Sequence, residues 1–165
     1  LNRILRKTRP APPKAFNGAG AFYKFEGRKM EQVEKFLADW TVDNADTRQV
    51  FVGLYGFFKT LEGAEISFVP RPGVTYSLRA GIEGAARPIF ALVDVIDDDP
   101  TSRWLSVCFY EDSITDPEEA GEMIPNGILN EDGYCFDVEE PEPGILEYLA
   151  KRASEAHAKA LESVA

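Results

Sequence analysis

Apolar residues recur along this chain with two different periods, and the switch between them divides it. Met30, Val33, Phe36, Leu37 and Trp40 repeat at three- and four-residue intervals, which predicts an amphipathic helix over roughly 28–40. Val50, Phe51, Leu54, Tyr55, Phe58 and Leu61 form the stripe of a second helix, with Asp43 or Asn44 placed to cap it and Gly63 to stop it. Residues 21–25 suggest a short strand ahead of both. Beyond Gly63 the period falls to two. Residues 64–70 and 74–80 read as strands joined by Arg71-Pro72-Gly73-Val74, where proline then glycine suits the centre of a type II turn. Residues 87–96 and 103–110 read as two more, linked by an acidic loop, and 133–138 as a fifth entered through Asp132-Gly133. The 111–132 stretch is too long for an ordinary hairpin, and it is expected to hold either a small helix at 117–123, with Pro117 at its first position, or a functional loop. Ile145, Leu149, Ala153, Ala156 and Ala160 space a final helix from residue 143 nearly to the end.

Two helices, a meander of about five strands and one long C-terminal helix indicate an α+β fold with an antiparallel sheet. Sequential strands are expected to be neighbours. A chain of 165 residues fits one domain. Residues 1–20 separate as an arm, extended by Pro10, Pro12 and Pro13 and jointed at Gly18-Ala19-Gly20, leaving 21–165 as the single domain. Hydrophobic residues make up 44% and aromatics 12%, enough for a packed core. No run approaches about eighteen apolar residues, so no membrane span is expected. The N-terminus is charged without a following apolar stretch and does not read as a signal peptide. It is arginine-rich and acid-free up to Glu26, like an organellar transit peptide, but lacks the serines. Two cysteines only, Cys108 and Cys135, make the cytoplasm the default location.

Charge changes the picture most. The net charge is −10. Residues 94–142 hold sixteen carboxylates and one basic side chain, Arg103, whereas residues 1–14 hold five basic groups (Arg3, Arg6, Lys7, Arg9, Lys14) and no acid. The remainder is balanced, with twelve of each sign. An acidic body opposes nucleic-acid binding, so no DNA partner is expected. The arm is expected to dock on the acidic region.

Candidate chemistry is sparse. P-loop, G-x-S-x-G, C-x-x-C and H-E-x-x-H patterns are missing. His157, the only histidine, sits on the last helix without a neighbouring nucleophile and reads as exposed. Asp94, Asp97, Asp98 and Asp99 invite a cation, but three are consecutive and proline follows, so they read as a solvated hairpin end with no metal. Glu118, Glu119 and Glu122 read as the outer face of the small helix. Strand alternation gathers Thr75, Ser77, Arg79, Ser106, Cys108, Cys135 and Asp137 on one sheet face, flanked by Trp104 and Tyr110, with the apolar sets turned to the helices. That face can hold a small anionic ligand on Arg79 between aromatic walls. Alternatively it is the outer face of a one-sided sheet, with Arg79 paired to Asp137 or Asp94. Cys108 and Cys135 can face each other across neighbouring strands. No base is legible beside them that would activate a thiol.

Residues 51–160 resemble small bacterial families catalogued as domains of unknown function. The likeness rests on the apolar helix running from Phe51 to Leu61 into Ile66-Ser67-Phe68, on Ile89-Phe90-Ala91 with Leu105-Ser106-Val107, and on Glu131-Asp132-Gly133-Tyr134-Cys135-Phe136 before a terminal helix. It implies an α+β cytosolic domain, and no activity, cofactor or catalytic residue comes with it.

Three readings follow. One is a non-catalytic interaction module whose basic arm (Arg3, Arg6, Lys7, Arg9) reaches the acidic surface of its own body or of a homodimer partner, with Ile4 and Leu5 as apolar anchors. The second is a binder of a small anion, or an enzyme, using the Arg79 face. The third has the arm touch RNA or anionic lipid, against the repulsion of the acidic body.

Overall fold

The computed structural model describes residues 18–165, with side chains from residue 27 onward. Helix α1 (Gly18–Asp39) buries Val33, Phe36 and Leu37, with Trp40 buried just beyond its end. It begins well before residue 28 and takes in residues 21–25, so the short strand expected there is helical, as is the Gly18-Ala19-Gly20 joint. A strand must find a neighbour for its backbone groups, whereas a helix satisfies its own. Helix α2 (Thr47–Phe58) follows. The N-cap position falls on Asp46, whose side chain makes no capping bond, and not on Asp43 or Asn44; Asp43, three residues earlier, accepts the Arg48 N–H and the Thr47 hydroxyl, each at 3.2 Å.

The sheet has six strands, not about five: β1 (Ala64–Arg71), β2 (Thr75–Ile82), β3 (Ala91–Ile96), β4 (Trp104–Tyr110), β5 (Glu122–Ile128) and β6 (Glu131–Val138). All pairings are antiparallel, in the order β1-β2-β3-β4-β6-β5. Sequential neighbours hold as far as β4, after which β6 enters between β4 and β5. The additional strand, β5, claims the end of the segment expected as a small helix. Asp116 explains the change: its carboxylate accepts the N–H groups of Ala120 at 3.1 Å and Gly121 at 2.9 Å and the hydroxyl of Tyr148. Those bonds close 116–121 into a loop. Gly121 then lies so close to β6 that a Cβ there would stand 2.7 Å from the Tyr134 ring. Burial opposes the charge on Asp116, but the bonds from Tyr148, Gly121, Ala120 and Tyr134 outweigh it and hold its pKa below the usual carboxylate value.

All three helices, including α3 (Ile145–Glu162), pack on one face of the sheet. Leu78, Val93, Val107 and Phe136 stand in register across four strands there, fully buried or nearly so. Phe36 anchors the aromatic end of this core, stacked on Tyr76 at 4.1 Å and edge-on to Phe51 at 5.8 Å. Each such side chain contributes about 1.5–3 kcal/mol by leaving water. Gly53 lets α3 approach α2, since a Cβ there would meet Leu146 at 2.4 Å.

Two expectations are corrected here. The acidic loop is not wholly a solvated hairpin end: Asp97 is 3% exposed. It accepts Arg103 Nε at 2.7 Å and the Gly73 N–H at 2.8 Å, and Arg103 lies over the Phe36, Trp40 and Tyr76 rings. Its place is fixed by the turn through Gly73 (φ +79°), a conformation that suits glycine. His157 is also buried, its Nε2 2.8 Å from the Glu62 carbonyl and its ring edge-on to Phe90. A lone histidine among alanines reads as exposed, but this turn of α3 lies on the strands.

Candidate functional site

The face of the sheet turned away from the helices carries every residue of the candidate ligand site. Register sets them in three rows. Thr75 and Trp104 flank Ile96 in the first. Ser77, Asp94, Ser106 and Asp137 run across four adjacent strands in the second. Arg79, Leu92, Cys108 and Cys135 form the third, with Ser67 beyond Arg79 at one end and Glu122 beyond Cys135 at the other. Asp94 was legible in the alternation of Leu92, Asp94 and Ile96 against Ala91, Val93 and Val95, and belongs to this face rather than to a cation loop.

The chemistry of the rows differs. Ser77 is buried and gives its hydroxyl to Asp94. Asp137 is exposed, and Ser106 lies 3.6 Å from the Cys108 sulfur. Arg79 pairs with neither Asp94 nor Asp137: among the described residues its guanidinium forms no ion pair, and its buried Nε has no hydrogen-bond partner. Cys108 and Cys135 do face each other, directly across β4 and β6, and are joined as a disulfide. They pack with Ile89, Leu92, Tyr110 and Ile128 into a second, smaller apolar cluster.

The aromatic flanks do not converge. Trp104 and Tyr110 lie at opposite ends of β4, about 20 Å apart at 3.3 Å per residue. Tyr110 is buried beneath Arg87, whose guanidinium stands 4.1 Å over its ring. Arg87 also binds Asp112 at 2.7 Å and Glu131 at 3.0 Å. Hydrogen bonding to Asp112 is the main reason its pKa is raised, and the same bond holds Asp112 below the usual carboxylate value.

The acidic region also takes shape. Thirteen of the sixteen carboxylates in 94–142 are exposed, and only Asp112 and Glu131 among these thirteen form an ion pair within the described residues. Glu118 and Glu119 sit on the loop closed by Asp116 and Glu122 on β5, so they do not share a helical face. Among the described residues no group of three or more His, Cys, Asp or Glu side chains is placed to hold a metal ion, and no helix is long and apolar enough to cross a membrane. The basic arm residues Arg3, Arg6, Lys7 and Arg9 lie outside the described residues. No protein-family model, curated protein or solved structure matches this chain.

Proposed function

We propose that this chain is a non-catalytic interaction module of the cytoplasm, whose basic arm docks on the acidic surface of a second copy in a homodimer. One observation carries the reading: among the described residues, the exposed carboxylates of 94–142 have almost no cation paired with them. Such a surface repels itself and attracts a basic segment, and residues 1–14 supply one in the same chain. In a symmetric pair the contact is made twice. The disulfide pulls against the cytoplasmic part, because thiols are kept reduced there. Thiol counting on protein taken from its own cell, in denaturant, decides that point.

Native mass spectrometry tests the rest. The full chain is expected at twice 18.3 kDa and at the single mass once residues 1–14 are deleted or salt is raised. Equal oligomeric states with and without the arm overturn the reading.

A second reading keeps one observation of its own, the Arg79 guanidinium on the face turned away from the helices, which forms no ion pair among the described residues. In that reading a small anion binds Arg79 beside Ser77, Ser106 and the cysteine pair. Extra non-protein mass on each chain, lost in Arg79→Ala, supports it. Unchanged ligand mass in that variant removes it.

A further inference from the structure

Most of the acidic region offers a basic arm nothing but charge. One part offers more. Three large apolar side chains of 94–142 are exposed: Met123 (50%), Ile124 (40%) and Leu129 (40%). All three lie on β5 or on the turn that follows it. β5 is also an edge strand. It pairs with β6 on one side, and among the described residues no strand pairs with its other side. Backbone N–H and C=O groups along such an edge are a template for another extended segment. Pairing with β6 is regular over Glu122, Met123 and Ile124 and then breaks, and Pro125 has no N–H to give. The usable template is therefore short and centred on Met123. Register assigns its faces. Met123 stands opposite Tyr134, which packs on the helix-side core, whereas Glu122 and Ile124 stand opposite Cys135 and Gly133 on the other face.

The arm has the matching order. Arg3-Ile4-Leu5-Arg6 sets two consecutive apolar residues between two cations. Neighbouring side chains of an extended segment point to opposite faces, so an edge, with cover both above and below the sheet, suits Ile4 and Leu5 together. Set antiparallel, with Leu5 opposite Met123 and Ile4 opposite Ile124, the segment brings Arg6 opposite Glu122. Set parallel, with Ile4 opposite Met123 and Leu5 opposite Ile124, it brings Arg3 there. Either direction pairs apolar with apolar and cation with carboxylate. Helix α1, into which the arm leads, makes its main sheet contacts with β1, the edge farthest from β5. Two copies side by side bring the root of each arm toward the other's β5.

We infer that residues 3–6 of one copy add to β5 of a second copy as a further strand. The inference rests on the homodimer reading of the proposed function and names the surface that the arm takes.

The test compares the full chain, the chain lacking residues 1–14 and three full-length variants by native mass spectrometry and amide exchange. Ile124→Lys and Glu122→Lys change exposed side chains and leave the core untouched. The full chain is expected at twice 18.3 kDa, with amides 122–124 exchanging more slowly than in the chain without its arm. Ile124→Lys should appear at the single mass. Glu122→Lys should weaken the dimer about tenfold, because an attraction becomes a repulsion in each half of the pair. Val74→Lys, at an apolar side chain 55% exposed and outside the acidic region, should leave the dimer as it is. A full chain at the single mass, or a dimer that survives loss of the arm, overturns this inference together with the reading beneath it. An arm-dependent dimer that ignores both Ile124→Lys and Glu122→Lys, or in which amides 122–124 exchange as fast as without the arm, overturns the inference alone.

Discussion

One sheet here has two faces made of the same strands, and they obey different rules. Toward the helices, neighbouring strands align Leu78, Val93, Val107 and Phe136 into a continuous apolar layer. One residue over, the same strands align Ser77, Asp94, Ser106 and Asp137 into a polar row that none of the helices packs on among the described residues. The first face is built for stability. Among the described residues the second holds a small apolar cluster, tied by a disulfide and roofed by Arg87, and leaves Arg79 without an ion pair.

That contrast can be broken most forcefully on the covered side. Leu78→Ala, fully buried, is expected to cost about 2–5 kcal/mol in denaturant melts. Its sequence neighbour Ser77→Ala, pointing the other way, should cost about 1 kcal/mol for the lost bond to Asp94. Equal losses would contradict the division. Asp97→Ala should match the core variant, at about 3–5 kcal/mol, because it strands the buried Arg103 charge and the Gly73 N–H. Reducing the Cys108–Cys135 bond, which spans 27 residues, should lower stability by about 2–4 kcal/mol, and a melt insensitive to reductant would place the bond outside the folding energetics.

A pH series sharpens the comparison further. Asp116 has a folded pKa below its unfolded one, so its stabilisation is present above the unfolded value near 3.8 and is lost as pH falls through the folded value. The stability gap between wild type and Asp116→Ala should therefore be constant at neutral pH and close in strong acid. A gap that widens on acidification reverses the sign and rejects the assignment. The smallest effect belongs to Asp137→Asn on the uncovered face: it is exposed and unpaired, and a change within about 0.5 kcal/mol is expected.

Much of this contrast is written in the alternation of the strands. Every second residue of β2, β4 and β6 sorts onto the correct face by period alone, and the helical stripes of α2 and α3 are equally plain. What hides is whatever depends on a distant partner. Glu122-Met123-Ile124-Pro125-Asn126-Gly127-Ile128 has no alternation and contains three poor strand formers, yet β6 makes it a strand by pairing. His157 and Asp97 look solvated because their burial is decided by Phe90, Glu62 and Arg103, up to 95 residues away.

The exchange of β5 and β6 at the sheet edge has a kinetic meaning. The β5–β6 hairpin spans only two intervening residues and can close within about 1–10 μs. The β4–β6 seam must wait for the whole 111–130 excursion to be drawn in, so it assembles late. The covalent bond from Cys108 to Cys135 crosses that seam. Once formed, it removes β6 from the set of strands that breathe open, and amide exchange along β4 should slow in the oxidised chain while β1, at the opposite edge, exchanges at an unchanged rate.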